Sequence, residues 1–111
     1  MLNFHISEID QVRVIEVSGR VDGMSAEELR QKLFAEIDAG ARQVVLDLAK
    51  VSYMSSAGLR ELVAAYRRLQ EASGDLRLAQ PSSRVLDVLE MSGLDTIFQI
   101  FLSQTDAVGS Y

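Results

Sequence analysis

Three glycines, Gly40, Gly74 and Gly93, each close a segment with apolar residues at helical spacing, and a β-rich run follows each of them. A glycine just past a helix tolerates the left-handed backbone that ends it. The first helical segment carries Leu29, Leu33 and Ile37 and precedes a strand over 43–48. The second carries Leu59, Leu62, Val63, Tyr66 and Leu69 and precedes a strand over 76–79. The third carries Val85, Val88 and Leu89 and precedes a last strand near 97–100, after which 103–111 suits a short helix. Strands that alternate with helices through short connections demand a mainly parallel sheet with right-handed crossovers, so the chain is α/β.

The N-terminus adds a different element. Residues 4–6 and 12–17 are β-rich and flank Ile9-Asp10-Gln11, a polar link suited to a hairpin. Gly19-Arg20-Val21-Asp22-Gly23 then leads into Ser25-Ala26-Glu27-Glu28, which reads as a capping box. In it Ser25 caps the Glu28 amide, Glu28 reaches back, and Met24 and Leu29 form the hydrophobic staple. A sheet covered on both faces has strands that are apolar throughout. Here Val44, Leu46 and Leu48 alternate with Gln43, Val45 and Asp47, and Leu76 and Leu78 flank Arg77. One face is therefore expected to be more open. Strands in sequential order, an N-terminal hairpin and helices mostly on one face make a βα superhelix rather than a doubly wound sheet. No interdomain linker interrupts it, and 1–111 reads as a single domain.

Composition removes several classes of function. With 48% apolar residues and one proline among 111, a globular core is expected rather than disorder. The net charge of -5 and the scattered basic residues argue against a direct nucleic-acid ligand. There is no cysteine, so disulfides, thiolate metal sites and a cysteine nucleophile are excluded. No apolar run approaches the ~18 residues that span a bilayer, and the first residues lack signal-peptide character. A cytoplasmic location is expected.

The stretch from Val51 to Leu62, Val-Ser-Tyr-Met-Ser-Ser-Ala-Gly-Leu-Arg-Glu-Leu, delivers two serines to the start of a helix. Backbone amides there point outward and the helix dipole is positive, which suits a phosphate. Gly58, one turn into the helix, costs ~1 kcal/mol against alanine and suggests that something approaches closely. Taken locally, Ser55 and Ser56 read first as an N-cap and its neighbour. Asp22 serves equally as a turn residue or a partner contact. Arg60 is a weaker candidate for steering a partner, and Arg67 and Arg68 suit a helix end. Asp47 could suggest a phosphoaspartate receiver, but the acidic pair and lysine that such a site needs do not follow the early and late strands. His5, the single histidine, has no Ser or Asp constellation beside it in the sequence. A hydrolase or phosphotransferase using Ser56 as nucleophile lacks an identifiable base, nucleotide loop or metal cluster.

At Tyr53-Met54-Ser55-Ser56-Ala57-Gly58-Leu59 the sequence resembles the STAS family, and within it the bacterial anti-sigma-factor antagonists. There an apolar pair precedes Asp-Ser-Ser-Gly-Leu or a close variant. Gly19-Arg20-Val21-Asp22, the strand over 44–48, and Ser92-Gly93-Leu94 with Phe98-Gln99-Ile100-Phe101 extend the likeness over nearly the whole chain. Ser55 stands where the family has aspartate, and Arg20 where it has glutamate. The resemblance implies a STAS-type fold and a non-enzymatic partner switch. It implies Ser56 as the phosphorylated residue, with Ser55 as competitor, and Asp22, Met54, Ser55, Ser56, Gly58, Leu59 and Arg60 as the partner-binding set. The partners it implies are an anti-sigma factor serine kinase and a metal-dependent serine phosphatase. No cofactor, resident metal or small-molecule substrate is expected. The alternative within the same fold is an adaptor subunit of a transport or signalling complex without a phosphorylation cycle.

Overall fold

A computed structural model describes residues 1–111. The hairpin consists of β1 (Asn3–Ile9) and β2 (Val12–Val21), joined by Asp10 and Gln11 at φ 51° and 69°. Two consecutive positive φ values give the turn whose twist matches that of the strands it joins. There follow α1 (Ala26–Asp38), β3 (Gln43–Met54), α2 (Ser56–Glu71), β4 (Asp75–Ala79), α3 (Ser83–Met91), β5 (Ile100–Phe101) and α4 (Gln104–Gly109). The sheet runs β1-β2-β3-β4-β5, antiparallel in the first pair and parallel in the rest. This is the sequential βα order expected from the strand pattern.

The main core lies between one sheet face and α1, α2 and α3. Leu29, Leu33, Leu62, Leu69 and Leu89 meet Ile15, Val44, Leu46, Leu48, Leu76 and Leu78 there. The other face is closed at one end only. Ala107 and Val108 of α4 cover Val12, Val14, Val45 and Ala79. Tyr111 fixes that helix: its hydroxyl accepts from the Val44 N–H at 3.2 Å and lies 2.7 and 2.8 Å from the carbonyls of Val44 and Asp75. Burial first, and then the nearby Asp75 carboxylate, push the phenol above its ordinary pKa. The tail thus forms the helix that the sequence allowed but specified only weakly.

Four local expectations are corrected. The strand over 43–48 continues to Met54, because β2 supplies partners for that length, ending in Arg20↔Tyr53 and Val21↔Met54. The capping box is not formed at Ser25. Asp22 caps instead, its Oδ1 accepting from the N–H groups of Met24 and Ser25 at 3.0 and 3.1 Å. Ser25 donates its hydroxyl to the Arg20 carbonyl at 2.7 Å, Glu28 accepts from the Leu2 N–H at 3.3 Å, and Met24 is 92% exposed rather than stapled. The last strand begins at Ile100 because Phe98 turns into the core, edge-on to Tyr66 at 5.2 Å between centroids.

The fourth correction concerns the end of α2. The left-handed residue is Ser73 (φ 64°), not Gly74. The Ser73 and Gly74 N–H groups bond back to Gln70 and Leu69 at 3.1 and 2.7 Å, a Schellman closure. Glycine is required at 74 for space, since a Cβ there would lie 2.4 Å from the Arg42 carbonyl oxygen. Gly74→Ala should therefore cost about 1–3 kcal/mol by overpacking. Ser73→Gly should be neutral or stabilising, because it relieves a left-handed serine. Urea unfolding midpoints of the two variants check this, and an unchanged midpoint for Gly74→Ala would contradict it.

Candidate functional site

The site stands where β2 and β3 end side by side. Their parallel pairing persists to Val21↔Met54, and the Ser55 N–H then donates to the Val21 carbonyl at 2.8 Å. Carboxyl ends of parallel strands present their loops on one edge, the usual place for recognition in an α/β sheet. The pairing brings Asp22, which follows β2, alongside Ser55 and Ser56, which follow β3. Arg20 belongs to the same edge: its guanidinium lies 4.0 Å from the Tyr53 ring centroid and 3.5 Å from Asp22 Oδ2. The backbone N–H groups of Ser25 and Met24 hold the Asp22 carboxyl below its ordinary pKa, with Arg20 a lesser contributor.

The two serines differ. Ser55 is extended (φ −86°, ψ 171°), and its Oγ accepts from the Gly58 N–H at 3.3 Å, so it is the N-cap of α2. Ser56 is the first residue of the helix and faces solvent. The close approach suggested by Gly58 is internal. A Cβ on it would lie 2.4 Å from Met54 Sδ and 2.6 Å from Val21 Cγ1, so the glycine lets α2 settle onto the two strand ends. Met54 is 1% exposed and Leu59 7%. Met54 and Gly58, expected in the partner-binding set, are therefore corrected to supports beneath the surface. Leu59 shows only an edge, and Asp22, Ser55, Ser56 and Arg60 carry what faces outward.

Residues remote in sequence complete the surroundings. Ser56 lies at a shallow groove of about 750 Å³ along α2, lined also by Arg60, Val63, Arg67, Leu94 and Arg30 of α1. Arg30 is 3.6 Å from Glu61 and lies over the Phe34 ring at 4.7 Å. Neither Arg30 nor Leu94 could be assigned here from the sequence, because their proximity depends on helix packing. Arg67 could have been found, since it falls seven residues after Arg60 on the same helix face. Exposed Met24 borders a second concavity with Asp22 and Arg20.

His5 and Asp47 belong elsewhere. They line a polar cavity of about 390 Å³ on the open sheet face. Asp47 is 5% exposed and fully engaged: Oδ1 accepts from the Ala49 N–H, and Oδ2 from the Gln80 and Gln104 amides at 2.8 and 2.7 Å. It lies on the less covered face, as expected, but under these two side chains.

The family model for the STAS domain matches residues 3–107. A Bordetella bronchiseptica protein named "Putative anti-sigma factor antagonist BtrV" is 35% identical over 106 residues, covering 96% of this chain and 91% of that one. The crystal structure of an anti-sigma factor antagonist from Mycobacterium paratuberculosis superposes with a TM-score of 0.90 at 26% identity, covering 99% and 93% of the two chains. The Bacillus cell fate determinant SpoIIAA in its phosphorylated form shares the fold, with a TM-score of 0.75 at 23% identity over 97% and 98% of the chains.

Ser55→Ala should cost about 1 kcal/mol through loss of the cap, while Ser56→Ala should stay within about 0.5 kcal/mol of the parent in urea unfolding. Equal losses would mean that the two hydroxyls share the capping. Asp22, whose folded pKa lies below the unfolded value, contributes stability that is complete above about pH 4 and is lost as pH falls through the folded pKa. An NMR titration should find its midpoint below 3.8, and Asp22→Ala should lower the thermal midpoint more at pH 7 than at pH 2.5.

Proposed function

The chain belongs to the STAS domain family, and on that footing we propose that it is an anti-sigma factor antagonist acting as a phosphorylation-controlled partner switch. In this reading the unmodified protein binds an anti-sigma factor serine kinase in the cytoplasm and so frees the sigma factor. The kinase phosphorylates Ser56, binding is lost, and a metal-dependent serine phosphatase resets the cycle. The chain itself performs no catalysis.

The observation that carries the proposal is the division of labour between the serines. Ser55 is occupied as the helix cap, while Ser56 is exposed at the first helical position. A phosphate on Ser56 adds a charge of about −1.5 to −2 where helix amides tolerate an anion, so the fold can remain intact. Modifying Ser55 instead would consume the hydroxyl that caps Gly58. On the partner's side, an unpaired charge in a desolvated interface costs about 2–5 kcal/mol, or roughly thirty-fold to several thousand-fold in affinity. The relatives named as anti-sigma factor antagonists agree with this reading, as does the existence of a phosphorylated form of SpoIIAA.

The test is phosphate mapping by mass spectrometry after incubation with ATP and each purified anti-sigma serine kinase of the source organism. One phosphate is expected on the parent and on Ser55→Ala, and none on Ser56→Ala. Full modification of Ser56→Ala would remove the assignment. Absence of modification by every kinase would favour the adaptor role. Ser56→Asp should weaken kinase binding at least thirty-fold while leaving the thermal midpoint unchanged.

A further inference from the structure

The groove that starts at Ser56 has a charge opposite to that of the chain as a whole. The protein carries -5 overall, yet Arg60 and Arg67 stand exposed on the groove and enter none of the ion pairs within the protein. Arg30 on the opposite wall is already balanced by Glu61 and rests on Phe34. The rest of the lining is mainly apolar, from half-buried Val63, Ala64 and Leu94 and an edge of Leu59, with Ser92 and the Glu61 carboxylate that Arg30 already engages. Seven residues along a helix are two turns, so Arg60 and Arg67 are spaced about 10.5 Å apart along α2.

We propose that this groove docks an acidic amphipathic segment of the kinase partner, which extends from Ser56 along α2 with carboxylates set about two helical turns apart. The inference rests on the partner-switching reading and adds to it the chemistry and direction of the contact. Arginine forks favour carboxylate pairing, and an apolar strip flanked by cations matches a helix with one apolar stripe and acidic flanks. An acidic segment would be steered in by the two arginines against a chain that otherwise repels it. Phosphorylation then acts on the same track. A phosphoserine at 56 places negative charge at its entrance, one turn from Arg60, where it both repels the incoming carboxylates and competes for that guanidinium.

The experiment measures the affinity of the unphosphorylated protein for each purified anti-sigma serine kinase of the source organism, from 50 to 500 mM salt. With the kinase that binds, Arg60→Gln/Arg67→Gln should weaken affinity about tenfold or more at 50 mM salt, and the difference should shrink to within about twofold at 500 mM. Arg60→Lys/Arg67→Lys should recover most of the low-salt affinity. Arg84→Gln, an exposed arginine of α3 outside the groove, should bind like the parent. Thermal midpoints should be unchanged throughout, since neither groove arginine makes an ion pair. Binding that survives Arg60→Gln/Arg67→Gln undiminished, or falls equally with Arg84→Gln, overturns the docking track alone. A parent protein that binds none of the kinases at 50 mM salt overturns the switching reading, and the docking track with it.

Discussion

The structure depends on the parallel pairing of β2 with β3 out to Val21↔Met54. Everything at the edge that carries the candidate site is registered by that contact. The Ser55 N–H bonded to the Val21 carbonyl fixes where α2 begins, and the absent side chain of Gly58 lets the helix rest against Met54 and Val21. Shortening the pairing by two residues would leave a flexible loop before the helix, and the two serines would lose their distinct environments. The register shifts between Glu16 and Ser18 and between Gly19 and Arg20 are accommodated within β2. Gly19, at φ 124°, takes a backbone conformation that side chains avoid, and the twist added by such irregularities aims the strand end.

Much of this was legible because it follows from period and punctuation. Helical apolar spacing at Leu29/Leu33/Ile37 and Leu59/Leu62/Leu69, and alternation at Val44/Leu46/Leu48, are one-dimensional signals with direct three-dimensional meaning. They led to the strand order and to the helix-covered face. The failures share a different cause. Ser25, Met24 and Glu28 match a capping box, but Asp22 stands one turn earlier and its carboxylate takes the Ser25 amide that Glu28 would have reached, together with that of Met24, while Glu28 turns to the Leu2 N–H. Gly74 matches a helix terminator, yet its role is to make room for the Arg42 carbonyl, a steric demand from a distant segment. Phe98 lies in a β-rich run but is drawn into the core beside Tyr66. Local rules named candidates correctly, and tertiary contacts chose among them.

The candidate site divides the same way. The two serines were legible because capping is local chemistry, and the distinction between cap and exposed neighbour follows from the geometry of one helix turn. Gly58 was ambiguous: sequence shows that a close approach occurs, not whether it comes from inside or outside. Arg30 and Leu94 were invisible, because the groove they line exists only after α1 and the segment following α3 have packed beside α2.

A switch of the proposed kind needs a scaffold that does not answer the modification with a change of shape. If the fold absorbed the phosphate by rearranging, part of the charge's effect would be spent inside the chain. Three features keep Ser56 decoupled from the core: it is exposed, the cap is supplied by its neighbour, and Gly58 in the same helical turn rests on the strand-end residues Met54 and Val21 rather than on loop. The phosphate charge would then act at the surface, on the partner and on Arg60, rather than on the core. The groove arginines fit this logic, because a contact built on attraction between opposite charges is the kind most sensitive to an added charge at its edge. An interface held by apolar burial alone would respond only where the phosphate was itself buried. On the proposed reading, a cationic track starting at Ser56 would couple the modification to the first of the groove arginines, so that one small group would control docking without moving any element of the sheet.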